Sequence, residues 1–205
     1  PMSLVQRIAV TASAVITFAI LAALLAYILI MGVPNLKPGL FAWHYTSDNC
    51  SMTPAIINTL LMVVLSLLLS VPFGIGAAIY LVEYAKRGNK LVKVVRLTAE
   101  TLSGIPSIVY GLFGYLMFVI ALNMDKSMLA GALTLAIMVL PTILRTTEEA
   151  LKAVPDSFRE GSFGLGAGKL RTVFRIVLPS AVPGIFSGII LAIGRIVGET
   201  AALIF

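Results

Sequence analysis

Two ionisable side chains stand inside an apolar run near the end of this 205-residue chain: Arg195 and Glu199, in AVPGIFSGIILAIGRIVGETAALIF. An arginine at the centre of a membrane-spanning helix costs about 2.5–3.5 kcal/mol on insertion scales, so such residues face protein or water and are functional candidates by default. A guanidinium presents a planar fork of donors matched to the oxygens of phosphate-like anions. At a rise of about 1.5 Å per residue, Arg195 falls roughly 18 Å past Pro183 and Glu199 roughly 6 Å further, on one face of a continuous helix. Two readings follow. Either Arg195 meets an anion in transit, with Glu199 orienting it or limiting how tightly the anion is held, or the two side chains only neutralise each other. The order Arg then Glu is the weaker one for a pair four residues apart, and the outer third of the helix lies close to water, which favours the first reading.

Fewer polar groups accompany them than a soluble site would offer. Asn58, early in another apolar run, either hydrogen-bonds a neighbouring helix or lines a pathway. In SGIPSIVYGLFGY, Ser103, Gly104, Pro106 and Ser107 break or bend a helix, and Gly111 and Gly114 admit close packing. The hydroxyls of Ser103 and Ser107 are pathway candidates, with plain packing as the alternative. His44 has no second ligand at metal spacing and reads as solvated or interfacial; no metal and no cofactor is expected. Cys50 is the single cysteine, so no disulfide within the chain is possible.

The elements that position these residues are membrane helices. With 59% hydrophobic residues and a mean hydropathy of +1.03, the chain is more apolar than a soluble domain of this size can hide. It reads as an all-α polytopic membrane protein, because unpaired backbone groups in lipid cost several kcal/mol each. Five windows reach the spanning length of about 20 residues. They lie near residues 8–31, 55–83, 97–122, 128–147 and 181–205. The first run is too long for a signal-peptide core and reads as a retained anchor facing lipid.

The net charge of +6 sorts by loop. Lys86, Arg87, Lys90, Lys93 and Arg96 lie between the second and third windows, and Lys152, Arg159, Lys169, Arg171 and Arg175 between the fourth and fifth; the other two loops hold only Lys37 and Lys126. The positive-inside rule then makes the two basic loops and the N-terminus cytoplasmic and puts Phe205 outside. This distribution explains the charge better than binding of nucleic acid or of a specific lipid.

The second basic loop, residues 148–179, is the one long polar interval. Within it stand Glu160, Gly161 and Ser162, then three residues, Gly166, nine residues, and Ile176, Leu178 and Pro179. This spacing resembles the EAA signature of ABC importer permeases, the cytoplasmic loop through which a membrane subunit docks on its ATPase. Gly161 and Ser162 replace the two alanines, keeping the small size that close approach of another backbone requires. Arg159 and Glu160 flank this corner. Helix, turn, helix is the expected shape. The glycines at 164, 166 and 168 before Lys169 do not form a phosphate-binding loop, since Phe163 and Leu170 occupy positions that need glycine and a hydroxyl residue.

The segment around Pro106 and the run Arg195, Gly198, Glu199, Thr200 are similar to the PstA-type permeases of phosphate-specific ABC importers. The resemblance runs from the second window onward. It implies a single permease domain over residues 1–205, in the cytoplasmic membrane of a prokaryote. It also implies a second related (PstC-like) permease, two ATPase subunits that supply all ATP hydrolysis, and an external phosphate-binding protein. The family has six spanning helices, and this chain stops at Phe205 in the fifth, which reads as truncation. Charge alone does not choose phosphate over sulfate or molybdate. An importer of another oxyanion and an ATP-independent secondary transporter or channel are the alternatives.

Overall fold

The computed structural model describes residues 4–47, 50–86 and 88–204. The described residues form helices and connecting turns, with no strand among them. They fall into two compact units, Pro1–Ile57 and Asn58–Phe205.

The first unit is dominated by α1, Leu4–Gly32, none of whose residues is buried. After Gln6 and Arg7 in its first turn it carries no charged residue, and apolar side chains stand on every face, as a helix surrounded by lipid requires. The hydroxyls of Thr11, Ser13 and Thr17 each donate to the carbonyl four residues earlier, at 2.8 Å, so none of these three needs an outside partner. Pro34 and Pro38 each open a short 3-10 turn, Val33–Asn35 and Pro38–Phe41. The loop is then closed by Met52 N–H on Leu40 O at 2.8 Å and by the Ser51 hydroxyl on Ala42 O.

In the second unit, α5 (Met128–Lys152) is the hub. Leu135, Met138, Val139 and Ile143 are essentially inaccessible and pack with Val63, Tyr110, Ala192 and Ile196 from three other elements. Helix α2, Thr53–Ile79, runs without interruption through Pro72 and passes into a π-helical turn, Tyr80–Tyr84. It lies close on α5: a Cβ at Gly74 would sit 2.7 Å from Ile143 Cγ2. The buried Ser66 hydroxyl donates to Ala132 O at 3.2 Å.

The third expected span is not one helix. Helix α3 (Lys90–Ser103) and α4 (Ser107–Gly114, continued as a π-helical turn to Ala121) are bent by 104° at the Gly104–Pro106 break. Proline removes an N–H and pushes the residue before it out of the helical region. The Tyr110 hydroxyl reaches back across the break and donates to Leu102 O at 2.7 Å, a carbonyl that also accepts Ile105 N–H at 3.1 Å.

Helix α8, Leu178–Val197, is the main partner of α5. Gly184 and Gly188 make the contact possible, since a Cβ at either would collide with Ala150 or Thr146 of α5. The small pair at 184 and 188 is thus spent within the chain, whereas Gly194 has open space. Among the described residues, four helices are long and apolar enough to cross a membrane, and the bent α3–α4 pair makes a fifth if taken as one span.

Candidate functional site

Between α5 and α8 the chain makes the expected helix, turn, helix. Helix α6 is Asp156–Gly164, and α7 is Lys169–Thr172, which passes through a π-helical turn, Val173–Val177, into α8. Gly166 has φ +80°, a left-handed conformation that disfavours any side chain. Its N–H donates to Phe163 O at 2.9 Å, and Ala167 N–H to Ser162 O at 3.1 Å, closing the end of α6. The Ser162 hydroxyl, buried, pairs with Thr172 Oγ1 at 2.8 Å and ties α6 to α7.

The two small residues of the motif therefore have different uses. Ser162 is small because it is enclosed by its own loop, while Gly161 is exposed with nothing within 4 Å of a Cβ placed there. Glu160 is exposed beside it, and the turn presents Leu165 at 92% exposure. Ile176 and Leu178 are half-buried, Pro179 stands exposed in the first turn of α8, and Val173 and Val177 on the same stretch are buried with Ala78, Ile79, Leu151 and Ile185.

Arg159, by contrast, faces inward. Its Nε and Nη2 donate to Glu83 Oε1 at 3.2 and 2.8 Å; Nη2 also donates to Leu151 O at 2.9 Å, and Nη1 to Val154 O at 2.8 Å and Asp156 Oδ1 at 3.1 Å. With side chains only 15% and 8% exposed, Arg159 and Glu83 are a buried clamp. It joins the loop to the π-helical turn that ends α2. Sequence spacing placed Arg159 beside the motif and gave no sign of Glu83 as its partner, because 76 residues separate them.

The continuous helix expected over 181–205 stops at Val197, and this separates Arg195 from Glu199. Gly198 caps the end, and the Glu199 carboxylate accepts the N–H groups of Ala201 and Ala202, both at 3.0 Å, organising the 3-10 turn Ala201–Leu203. Arg195, half-buried in the last turn of α8, donates to Thr142 Oγ1 on α5 at 3.3 Å. The two are neither on one helix face nor paired.

Thr142 leads into a groove of about 600 Å³ beside α5, lined also by Ser103, Thr146 and Arg145. Arg195 itself does not line this groove; it meets the groove only through Thr142, which shares it with Ser103. Ser107, half-buried at the start of α4, and Asn58, exposed near the start of α2, do not line it. In the lining of the same groove the Glu148 carboxylate, 8% exposed, is met at 2.6 Å by both Arg96 Nη2 of α3 and Lys152 Nζ. That triad was not foreseen. The buried Glu four residues before a lysine was its one local signal.

The sequence profile described as "Binding-protein-dependent transport system inner membrane component" matches residues 70–205, from the middle of α2 through both the loop and Arg195. The chain belongs to this family. Among curated relatives of this inner membrane component, the probable ABC transporter permease protein YqgI of Bacillus subtilis (strain 168) is 38% identical over 197 residues, covering 94% of this chain and 66% of the relative. The phosphate transport system permease protein PstA 1 of Mycobacterium tuberculosis (strain CDC 1551 / Oshkosh) is 43% identical over 150 residues, 73% of this chain and 49% of that one. PstA of Yersinia pestis is 40% identical over 177 residues, 85% and 59%. The chain spans about half to two thirds of the length of these relatives. Among solved structures, a chain of the MetNI methionine ABC transporter in an inward-facing conformation superposes with a TM-score of 0.58 at 21% identity, over 72% of this chain and 68% of that one. That likeness is one of fold: this inner membrane component is a multi-pass, all-α membrane protein built as an ABC importer permease.

Proposed function

We propose that this inner membrane component is the permease domain, over residues 1–205, of an ATP-driven importer that carries inorganic phosphate across the cytoplasmic membrane. The observation that carries the substrate is the identity of 40–43% to proteins described as phosphate transport system permeases, over 73–85% of the chain. Residues 159–179 dock on one of two ATPase subunits, with Glu160, Gly161 and Gly166 on the exposed corner and Ile176, Leu178 and Pro179 passing the movement into α8. ATP hydrolysis belongs to those partners. A second, PstC-like permease completes the pathway, and an external phosphate-binding protein delivers the anion. The N-terminus and both basic loops are cytoplasmic.

Arg195 meets the anion, its fork held toward the pathway by Thr142 on the neighbouring helix. The polar groove beyond, with Ser103 and Thr146, is the inward continuation of that route. The revised role of Glu199 is to fix the turn behind Arg195. Ser107 and Asn58 are then contacts of other conformations or of the partner permease.

The deciding experiment is ATP-dependent uptake of labelled phosphate by the full-length subunit with its partners, competed by sulfate and by molybdate, in wild type and Arg195→Ala. Uptake resistant to both competitors and lost in an assembled mutant is expected. Transport of another oxyanion removes phosphate from the reading, transport without ATP removes the importer, and a mutant at wild-type rate removes Arg195 from the pathway.

A further inference from the structure

Helix α3 differs from every other long helix of the second unit. It is bent by 104° from α4, so when α4 follows the membrane normal, α3 lies nearly in the membrane plane. Its three faces are chemically distinct. Val92, Val95, Ala99 and Leu102 are turned to the protein. Leu91, Val94 and Leu97 are 56–62% exposed. Between these, Lys93, Arg96 and Glu100 line a groove of about 830 Å³, together with Lys86, Lys90 and Lys152. A helix lying flat, apolar on one side and basic on the next, has the design of an interfacial helix on anionic lipid.

We propose that this groove and the exposed flank of α3 form a binding site for an anionic phospholipid of the cytoplasmic leaflet, its headgroup phosphate held by Lys86, Lys90 and Lys93 and its acyl chains lying along Leu91, Val94 and Leu97. Charge distribution along the sequence argued only for orientation and against a specific lipid; what changes the conclusion is the coincidence of a concave basic surface with an apolar row on one in-plane helix. Among the described residues that line the groove, Lys152 and Arg96 are held by Glu148 and Arg159 by Glu83 and Asp156, which leaves the three lysines as the cations available to a headgroup. The apolar flank selects a lipid over a free phosphate, since an inorganic anion has no use for it.

The inference rests on the membrane orientation given under Proposed function, and its test involves neither ATP nor uptake, so its failure is distinguishable from failure of that reading. The full-length subunit is purified in detergent and mixed with phosphatidylglycerol or phosphatidylcholine, and retained lipid is counted by native mass spectrometry. Wild type is compared with the triple variant Lys86→Gln, Lys90→Gln, Lys93→Gln, with Val94→Asp, and with Lys37→Gln as a control on another loop. Selective retention of phosphatidylglycerol is expected, weakened by about fivefold for each lysine removed. Val94→Asp weakens it and Lys37→Gln leaves it unchanged, at equal thermal stability. Equal retention of the two lipids, or a triple variant that retains phosphatidylglycerol like wild type, overturns the proposal. Displacement of the lipid by millimolar inorganic phosphate makes the groove a free-anion site and overturns it as well. If the triple variant loses the partner ATPase while keeping its lipid, the surface belongs to that protein.

Discussion

Arg195 and Glu199 show how a side chain's role depends on where its helix ends. Four residues apart on an unbroken helix they would face one another, but the stop at Val197 gives Glu199 two backbone N–H groups to accept and leaves Arg195 to Thr142. Because a glutamine at 199 keeps the carbonyl acceptor, Glu199→Gln is expected to melt near wild type, while Glu199→Ala loses about 1 kcal/mol. Thermal unfolding of the two variants checks this, and equal loss in both would mean that the charge, not the cap, matters. Arg159 has the opposite character. Removing it leaves the Glu83 carboxylate buried and unpaired, which costs about 3–5 kcal/mol. Arg159→Ala is expected to reduce folded yield sharply and Arg159→Lys less so, because lysine keeps the charge and loses the fork that reaches Leu151 and Val154. A wild-type yield for Arg159→Ala would deny the clamp any structural weight.

The loop element divides into a fixed half and a free half. Ser162 and Thr172 bind α6 to α7, Arg159 binds α6 to Glu83 and Leu151, and Glu160, Gly161, Leu165 and Gly166 remain on the surface. Substitutions on the free half should therefore spare folding and damage only docking. Glu160→Lys and Gly166→Trp are expected to insert in the membrane normally and to lose the stimulation of the partner ATPase, with Gly166→Trp also losing about 1–2 kcal/mol because its φ is positive. Coupled ATP hydrolysis at the wild-type rate in both variants would discard the docking assignment. The spacing of the motif was readable because each small or acidic residue meets a local demand of turn or surface. The different fates of Gly161 and Ser162 were not, since both are merely small in sequence and only the position of Thr172 tells them apart.

For the whole molecule, orientation is the property with most consequence, and the single cysteine reports it. Cys50 is exposed in the loop after α1, which the charge distribution puts outside. A membrane-impermeant maleimide added to intact spheroplasts is expected to label native Cys50 and to miss a Lys169→Cys thiol in a Cys50→Ser background; the reverse pattern would invert the topology. The sequence by itself determined the all-α class, where the long apolar helices lie and the spacing of the loop motif, though not how sharply the third window bends or the stop at Val197. What it determined depends on hydrophobic length, backbone satisfaction or residue spacing, which are properties of consecutive residues. It also marked the break at Pro106, because proline acts on its immediate neighbours. Only the tertiary structure decided that Gly184 and Gly188 close on α5, that Arg159 finds Glu83, that Arg96 and Lys152 share Glu148, and that α3 turns its apolar row and its lysines to different sides. Those outcomes depend on which helices meet and at what angle, and apolar segments so alike in composition carry no local mark of their partners.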